Sequence, residues 1–318
     1  MAARMRYPYD ASSSLSLHPM PLAENVTSHR VVLGDARRMS LVPDHSVHLV
    51  VTSPPYWTLQ VYPARVGQLG HVADYERFLE SLDEVWRECY RVLVPGGRMC
   101  VVVGDVNLSR RRCGRHQVVP LHADIAVRCR AIGFDYLAPI FWYKIANLRT
   151  EVQRPGSWFL GKPFEPNGIV KNDVEYILLF RKGGEYRHPT DEQRVRSRIP
   201  KELYLKWFRQ IWDDVNGQAR VRHPAPFPLE IPFRLIHMFS FAGDTVLDPF
   251  LGTGTTTLAA IRAGRSSIGY EIEPAYVELV RRRLAQAELW PEFKVEFLAD
   301  EGYQDSAYGP RPPMLATG

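Results

Sequence analysis

Short, nearly unbroken apolar runs alternate along this chain with longer stretches of helical spacing, and that alternation restricts the fold more than any other feature. "HRVVLGD" (29–35), "SVHLVVTS" (46–53), "RMCVVVGD" (98–105), "DYLAPIFWYK" (135–144), "TVLDPF" (245–250) and "SSIGYEI" (266–272) are strand-sized. They lack the in-out alternation of a half-exposed sheet, so they predict strands buried on both faces. Helices are predicted for 74–94, 120–134, 255–264 and 274–289. Strand followed by helix, repeatedly, is the pattern of a mostly parallel α/β sheet with helices on both faces.

The rhythm fails after Lys144. "IANLRTEVQRPGSWFLGKPFEPNGIVKN" is irregular, and a strand-like "VEYILLFRKGG" and a basic, aromatic stretch follow it. Residues 145–223 therefore read as an insertion between two parts of the α/β core, 29–144 and 224–300. Residues 1–28 and 301–318 lack periodicity and read as a flexible arm and tail.

At 318 residues and 45% hydrophobic, the chain can bury a large core. Its apolar runs are too short to span a bilayer and no signal peptide opens it, so a cytoplasmic location with no membrane partner is expected. Cys89, Cys100, Cys113 and Cys129 form no metal-ligand or disulfide pattern, and no metal is expected. The formal net charge is +5; residues 181–222 carry 11 basic and 6 acidic residues, an excess equal to that of the whole chain. A polyanionic partner or a solvated surface would each account for it.

Two stretches carry chemistry. In "VLDPFLGTGTTTLAAIRAGRSSIGYEIEPAY" a strand ends at Asp248, a loop carries Gly252 and Gly254, a helix begins at the threonines, and Glu271 closes the next strand. Glycines let a ligand approach the backbone, and an acid at a strand tip suits the two hydroxyls of a ribose. Neither G-x-G-x-x-G nor a P-loop lysine is present, so the layout suits a nucleoside rather than a pyrophosphate. The second stretch is "HLVVTSPPYW" (48–57), a core strand that breaks into two prolines. Both fix φ and neither donates a hydrogen bond, so the chain stiffens as it leaves the sheet.

T-S-P-P-Y-W upstream of D-P-F-x-G-x-G-T-T resembles the permuted, beta-class amino-group DNA methyltransferases of cytosine-N4 type. Further matches are "GDAR" (34–37), "VLVPGG" (92–97), "HPAPFPLEIPFRLI" (223–236) and "GYEIEPAYVELVRRRL" (269–284), so the resemblance spans about residues 29–290. It implies a circularly permuted, Rossmann-like methyltransferase fold in which 29–144 is the catalytic half, 145–223 the target-recognition insertion and 224–300 the half that binds S-adenosylmethionine. Asp248, Pro249, Phe250, Gly252, Gly254, Thr255 and Thr256 match the loop around the methionine part of this cofactor. Glu271 matches the acid on the ribose, and Asp35 the acid beside the adenine.

The resemblance also gives the prolines a purpose. An exocyclic amine is a poor nucleophile because its lone pair is delocalised into the ring. Two acceptors, Ser53 Oγ and the Pro54 carbonyl, would draw the nitrogen towards tetrahedral geometry, held rigid by Pro54 and Pro55. Tyr56 would stack on the flipped base, whereas Trp57 reads as a packing residue. Ser53 favours cytosine N4, with adenine N6 as the alternative; RNA or a protein amide is a more distant substrate, and a non-catalytic DNA-binding protein more distant still. Double-stranded DNA is the implied partner. Arg194, Arg196, Arg198, Lys201 and Lys206 are the expected phosphate contacts, and "RRRCGR" (110–115) follows a strand expected to end at the active-site edge. The residues leave open a homodimer and a cognate restriction endonuclease.

Overall fold

The computed structural model describes residues 26–59, 62–63, 65–108, 110–144, 166, 170, 172–216, 227–286, 292–300 and 303. In chain order the first part contains β1 (Thr27–Leu33), β2 (Val47–Thr52), α1 (Tyr75–Val92), β3 (Leu93–Val103), β4 (Val106–Leu108), α2 (Arg110–Cys113), β5 (Gln117–Val119), α3 (Leu121–Ile132), β6 (Phe134–Tyr143) and β7 (Val174–Lys182). There follow α4 (Asp191–Arg196), α5 (Lys201–Trp207), β8 (Ile211–Trp212), α6 (Glu230–Phe239), β9 (Thr245–Asp248), α7 (Thr255–Ala263), β10 (Ser266–Glu271), α8 (Pro274–Ala285) and β11 (Phe293–Ala299). Among these, no helix is long and apolar enough to cross a membrane.

Nine strands form one sheet in the order β11-β1-β10-β9-β2-β3-β7-β6-β8. Only β7 runs against its neighbours; β4 and β5 make a separate hairpin. The unbroken apolar character of the strands has a direct consequence here, because alternate residues enter two different cores. Met99, Val101 and Val103 of β3 join Leu178 and Phe180 of β7 on the face covered by α1 and α3. Cys100 and Val102 join Ile177 and Leu179 on the other face, under α5, α6 and α7. Polar substitution on either side would leave a buried group unpaired.

α1 starts at Asp74, whose side chain accepts from the Arg77 N–H. Phe78, Leu82, Val85, Trp86 and Cys89 recur at helical spacing and are all buried. The helix passes directly into β3, and Pro95-Gly96-Gly97 is absorbed as an irregularity at the start of the strand, with Gly96 at φ +74°.

Two sequence boundaries are corrected. Residues 145–223 are not a block outside the core, because β7 lies between β3 and β6 and its Ile177, Leu178 and Phe180 are fully buried. Leu203, Trp207, Trp212 and Val215 also complete a core face. The irregular stretch before β7 interrupts the chain without interrupting the sheet. Most of that stretch, 145–165, 167–169 and 171, and all of 217–226 lie outside the described residues, as do 1–25 and 304–318. The N-terminal arm gives way to β1 at Thr27, within the 1–28 segment.

Candidate active site

Chain direction reverses its sense of progress between β9 and β2: from β9 the chain goes on to β10 on one side, and from β2 to β3 on the other. Ligands of open α/β sheets bind outside the carboxyl ends of the strands at such a switch. Both motif loops emerge there. Thr52, the last residue of β2, donates from Oγ1 to Asp248 Oδ1, the last residue of β9, at 2.6 Å. Asp248 Oδ2 accepts from Thr256 Oγ1 at 2.6 Å, and Oδ1 also accepts from the Phe250 N–H at 3.0 Å. Burial pushes the Asp248 carboxyl up to about 6 against these three donors.

A half-open pocket lies beside this staple, at the carboxyl ends of β2 and β9. Its walls include Ser53, Pro55, Asp35, Pro249, Phe250, Gly252 and Glu271. Glu271 is 7% exposed, and its two oxygens accept from the backbone N–H groups of Gly252 (2.7 Å) and Glu273 (2.9 Å). Those bonds aim the carboxylate and favour its charge, yet burial outweighs them and raises its pKa to about 8. A buried acid, held by the backbone and facing a cavity, suits the paired hydroxyls of a ribose.

The expected cofactor residues divide into two groups. Asp35, Pro249, Phe250, Gly252 and Glu271 line the cavity; Asp248, Gly254, Thr255 and Thr256 do not. Those four build the turn instead: Gly254 caps α7 at φ +80°, and the two threonines are buried at the first turn of that helix. Asp35 is tied to Arg37, whose Nε approaches both carboxylate oxygens at 3.0–3.1 Å. Gly67 shows why this wall must be glycine, since at φ +83° a Cβ would come within 2.7 Å of Asp35 Oδ2.

Tyr62, Gln68, Leu69, Ile272 and Tyr276 also line the cavity and were not singled out from sequence. Ile272 and Tyr276 lie within the matched "GYEIEPAYVELVRRRL", which could have marked them. Tyr62 and Gln68 sit in an irregular segment with no periodic signal.

Of the proline-loop residues, Ser53 and Pro55 face the cavity, Pro54 is buried, and Tyr56 is partly buried against Gly104. Ser53 Oγ lies 3.4 Å from the Tyr56 hydroxyl, which donates to Glu175 Oε2 at 3.1 Å. Trp57 is a packing residue: Nε1 donates to the Val72 carbonyl at 2.9 Å and the ring meets Tyr75 edge-on. None of the four cysteines lines the cavity, and Cys89, Cys100 and Cys129 are buried, with thiols pushed up by that burial.

The expected phosphate contacts do not all lie on one edge of the sheet. Arg187 binds Asp244 through both terminal nitrogens, and Ser197 Oγ accepts from the Ala242 N–H at 2.8 Å. These contacts fasten the segment bearing Arg194, Arg196 and Arg198 to the loop that enters β9, whereas Ser53 and Asp248 lie at the strands' other end. A four-residue strand separates the two by roughly 13 Å. Lys206 pairs with Asp214 at 2.7 Å, and Asp214 also holds Arg234. Against burial, which raises it, Arg234 and Lys206 hold the Asp214 carboxyl at about 2. Lys201 is exposed at the start of α5. The "RRRCGR" run does follow the site edge, since β3 pairs Val101 with Thr52 and continues outward into Asp105 and the β4–β5 hairpin.

A mostly parallel sheet with one reversed strand, with a pocket at its switch point beside a Pro-Pro-Tyr loop, is an arrangement that suits an S-adenosylmethionine-dependent methyltransferase. The DNA methylase family model matches residues 47–282, most of the chain, and the protein belongs to that family. It is 40% identical to the Type II methyltransferase M.MjaI of Methanocaldococcus jannaschii, over 86% of this chain and 97% of that protein. M.MthZI of Methanothermobacter thermautotrophicus is 34% identical, over 81% of this chain and 77% of that one. Among solved structures, the putative DNA modification methylase TTHA0409 of Thermus thermophilus, complexed with S-adenosyl-L-methionine, is 52% identical with a TM-score of 0.71, covering 85% of this chain and 98% of that chain. The PvuII DNA methyltransferase (cytosine-N4-specific), at 22% identity and TM-score 0.58 over 81% of this chain and 87% of that one, shares the fold.

Proposed function

We propose that this DNA methyltransferase acts on the N4 amine of a cytosine extruded from duplex DNA, within a short recognition sequence. The observation that carries the reading is that Ser53 and Pro55 share one cavity with Phe250 and Glu271. The residues present fit the cofactor: Glu271 would hold the ribose hydroxyls, and Pro249, Phe250 and Gly252 would flank the methionine part. Bound S-adenosylmethionine supplies a methyl group on an electrophilic sulfonium.

Ser53 Oγ and the Pro54 carbonyl would accept the two amine N–H groups, turning the nitrogen lone pair out of the ring and towards the methyl. Tyr56 would offer a stacking face worth roughly 1–3 kcal/mol, offsetting part of the few kcal/mol spent on extrusion. Direct transfer to nitrogen requires no thiolate, in keeping with cysteines that lie away from the cavity. The Type II names of the relatives support a role in restriction-modification.

For target recognition we place the weight on two other segments. The chain leaves β6 after Tyr143 and returns at Val174, and it leaves β8 after Trp212 and returns at α6. Strand directions put the ends of β6 and β8 and the start of β7 at the Ser53 edge. Lys144 and Asp213 therefore stand at that edge, which supports the segments that follow them as the base-reading elements.

The test is to incubate the protein with mixed-sequence duplex DNA and labelled S-adenosylmethionine, digest to nucleosides and identify the labelled one by mass spectrometry. N4-methylcytosine is expected. N6-methyladenine would overturn the assignment of the base, and label in RNA or protein but not DNA would overturn the substrate class.

A further inference from the structure

We propose that Glu175, with Lys144, sets the hydrogen-bond polarity of Ser53 through Tyr56 and so makes the serine an acceptor. The inference rests on the methyl-transfer reading of the Ser53 loop. Glu175 stands at the start of β7 and is 8% exposed. A buried carboxylate at a reaction edge requires partners, and it has two: Oε1 takes the Lys144 ammonium and Oε2 accepts from the Tyr56 hydroxyl at 3.1 Å. Gly104 closes the arrangement, since a Cβ there would lie 3.3 Å from both the Tyr56 ring and Glu175 Cγ. A side chain at position 104 would press on both.

Proton counting then gives the direction of every bond. A carboxylate can only accept, so the single Tyr56 proton goes to Glu175 in preference to the more distant Val102 carbonyl at 3.4 Å. The Tyr56 oxygen is left as an acceptor towards Ser53, 3.4 Å away, a long contact that biases the serine hydroxyl rather than locking it. With its proton turned to Tyr56, Ser53 Oγ presents lone pairs to the cavity. An amine N–H needs an acceptor there; a serine turned the other way would offer a second donor. Glu175 and Lys144 thus act on the reaction through Tyr56 and Ser53, as positioning residues.

Glu175→Gln tests the polarity because its shape is unchanged. Lys144 would draw the amide oxygen, leaving the NH2 group against Tyr56, so the Tyr56 proton would turn to Ser53 Oγ or the Val102 carbonyl, both 3.4 Å away, and the bias that makes Ser53 an acceptor would be lost. The single-turnover methylation rate of E175Q should fall at least tenfold while cofactor affinity by calorimetry stays within twofold. Adding Lys144→Met removes the bias on the amide, so the double variant should recover at least half of that loss on a logarithmic scale. A rate for E175Q within twofold of wild type, or a double variant no faster than E175Q, would overturn the proposal. Tyr56→Phe keeps the ring and cuts the link; the E175Q loss should vanish in that background, and additive losses would equally refute the chain. The wild-type product nucleoside judges the cytosine assignment separately, because these rate ratios apply to whichever amine is methylated.

Discussion

The two edges of the parallel sheet hold charge in opposite ways. At the carboxyl edge, Asp248 and Glu271 are buried, with no basic side chain among the described residues bound to either carboxylate, and their acids are raised to about 6 and about 8. At the amino edge, buried Asp244 is clasped by Arg187, and Arg265, 2% exposed, gives its guanidinium to Ser240 and the Ala263 carbonyl. One edge keeps the Glu271 carboxylate for a ligand to complete, beside paired acids such as Asp35 and Glu175; the other consumes arginines to close the fold. Positive charge counted along a sequence therefore need not mark the surface that meets a polyanion.

The largest effect should come from the closed edge. Arg187→Met leaves Asp244 buried with its bidentate partner gone, so stability should fall by about 3 kcal/mol in denaturant unfolding. The methylation rate per folded molecule should hold; loss of rate at full folding would mean that this edge takes part in the reaction. At the open edge the expectation is reversed. Ser53→Ala should reduce the methylation rate by about 100-fold, the scale of losing one positioned hydrogen-bonding group at a reacting centre. Unfolding and cofactor binding should stay near normal, and loss of cofactor affinity would place the loop at a different part of the cavity.

This contrast explains what could be read from sequence. The strands announced themselves because burial on both faces demands continuous apolar runs, and Val101 and Cys100 answer to different cores for that reason. The two motif loops were legible because a rigid turn needs Pro and Gly. β7 was readable as a strand but not as a central one, since its partners β3 and β6 are distant or separated by the irregular stretch, and pairing leaves no local mark. Arg187 and Arg194 look alike in a sequence; only the arrival of Asp244 from β9's entrance distinguishes a structural arginine from a surface one. Asp248 also staples Thr52 to Thr256, a role invisible in the sequence because it depends on a contact 196 residues away.

A finer test of the open edge is pH. The Glu271 acid is raised in the folded protein from 4.5 to about 8, so the folded state holds an extra proton between those values. Its contribution to stability is full below pH 4.5 and is lost as pH rises through about 8. Ribose hydroxyls donate to the ionised form, so cofactor binding should release a proton and tighten several-fold from about pH 6.5 to about pH 8.5. Glu271→Gln should weaken binding and flatten this dependence. A slope that survives in the variant would assign the titration to another group.

The smallest expected effect bears most directly on the comparison. If Arg194 and Arg198 belong to the amino edge, replacing both with alanine should leave affinity for duplex DNA within threefold of wild type. The salt dependence should also be unchanged, because a residue that touches no phosphate displaces no counterion. Were they phosphate contacts, each would remove about 0.9 from the slope of log affinity against log salt concentration, nearly two for the pair. A slope reduced by that amount would bring DNA round to the opposite edge of the sheet and end the division of labour drawn between the two edges.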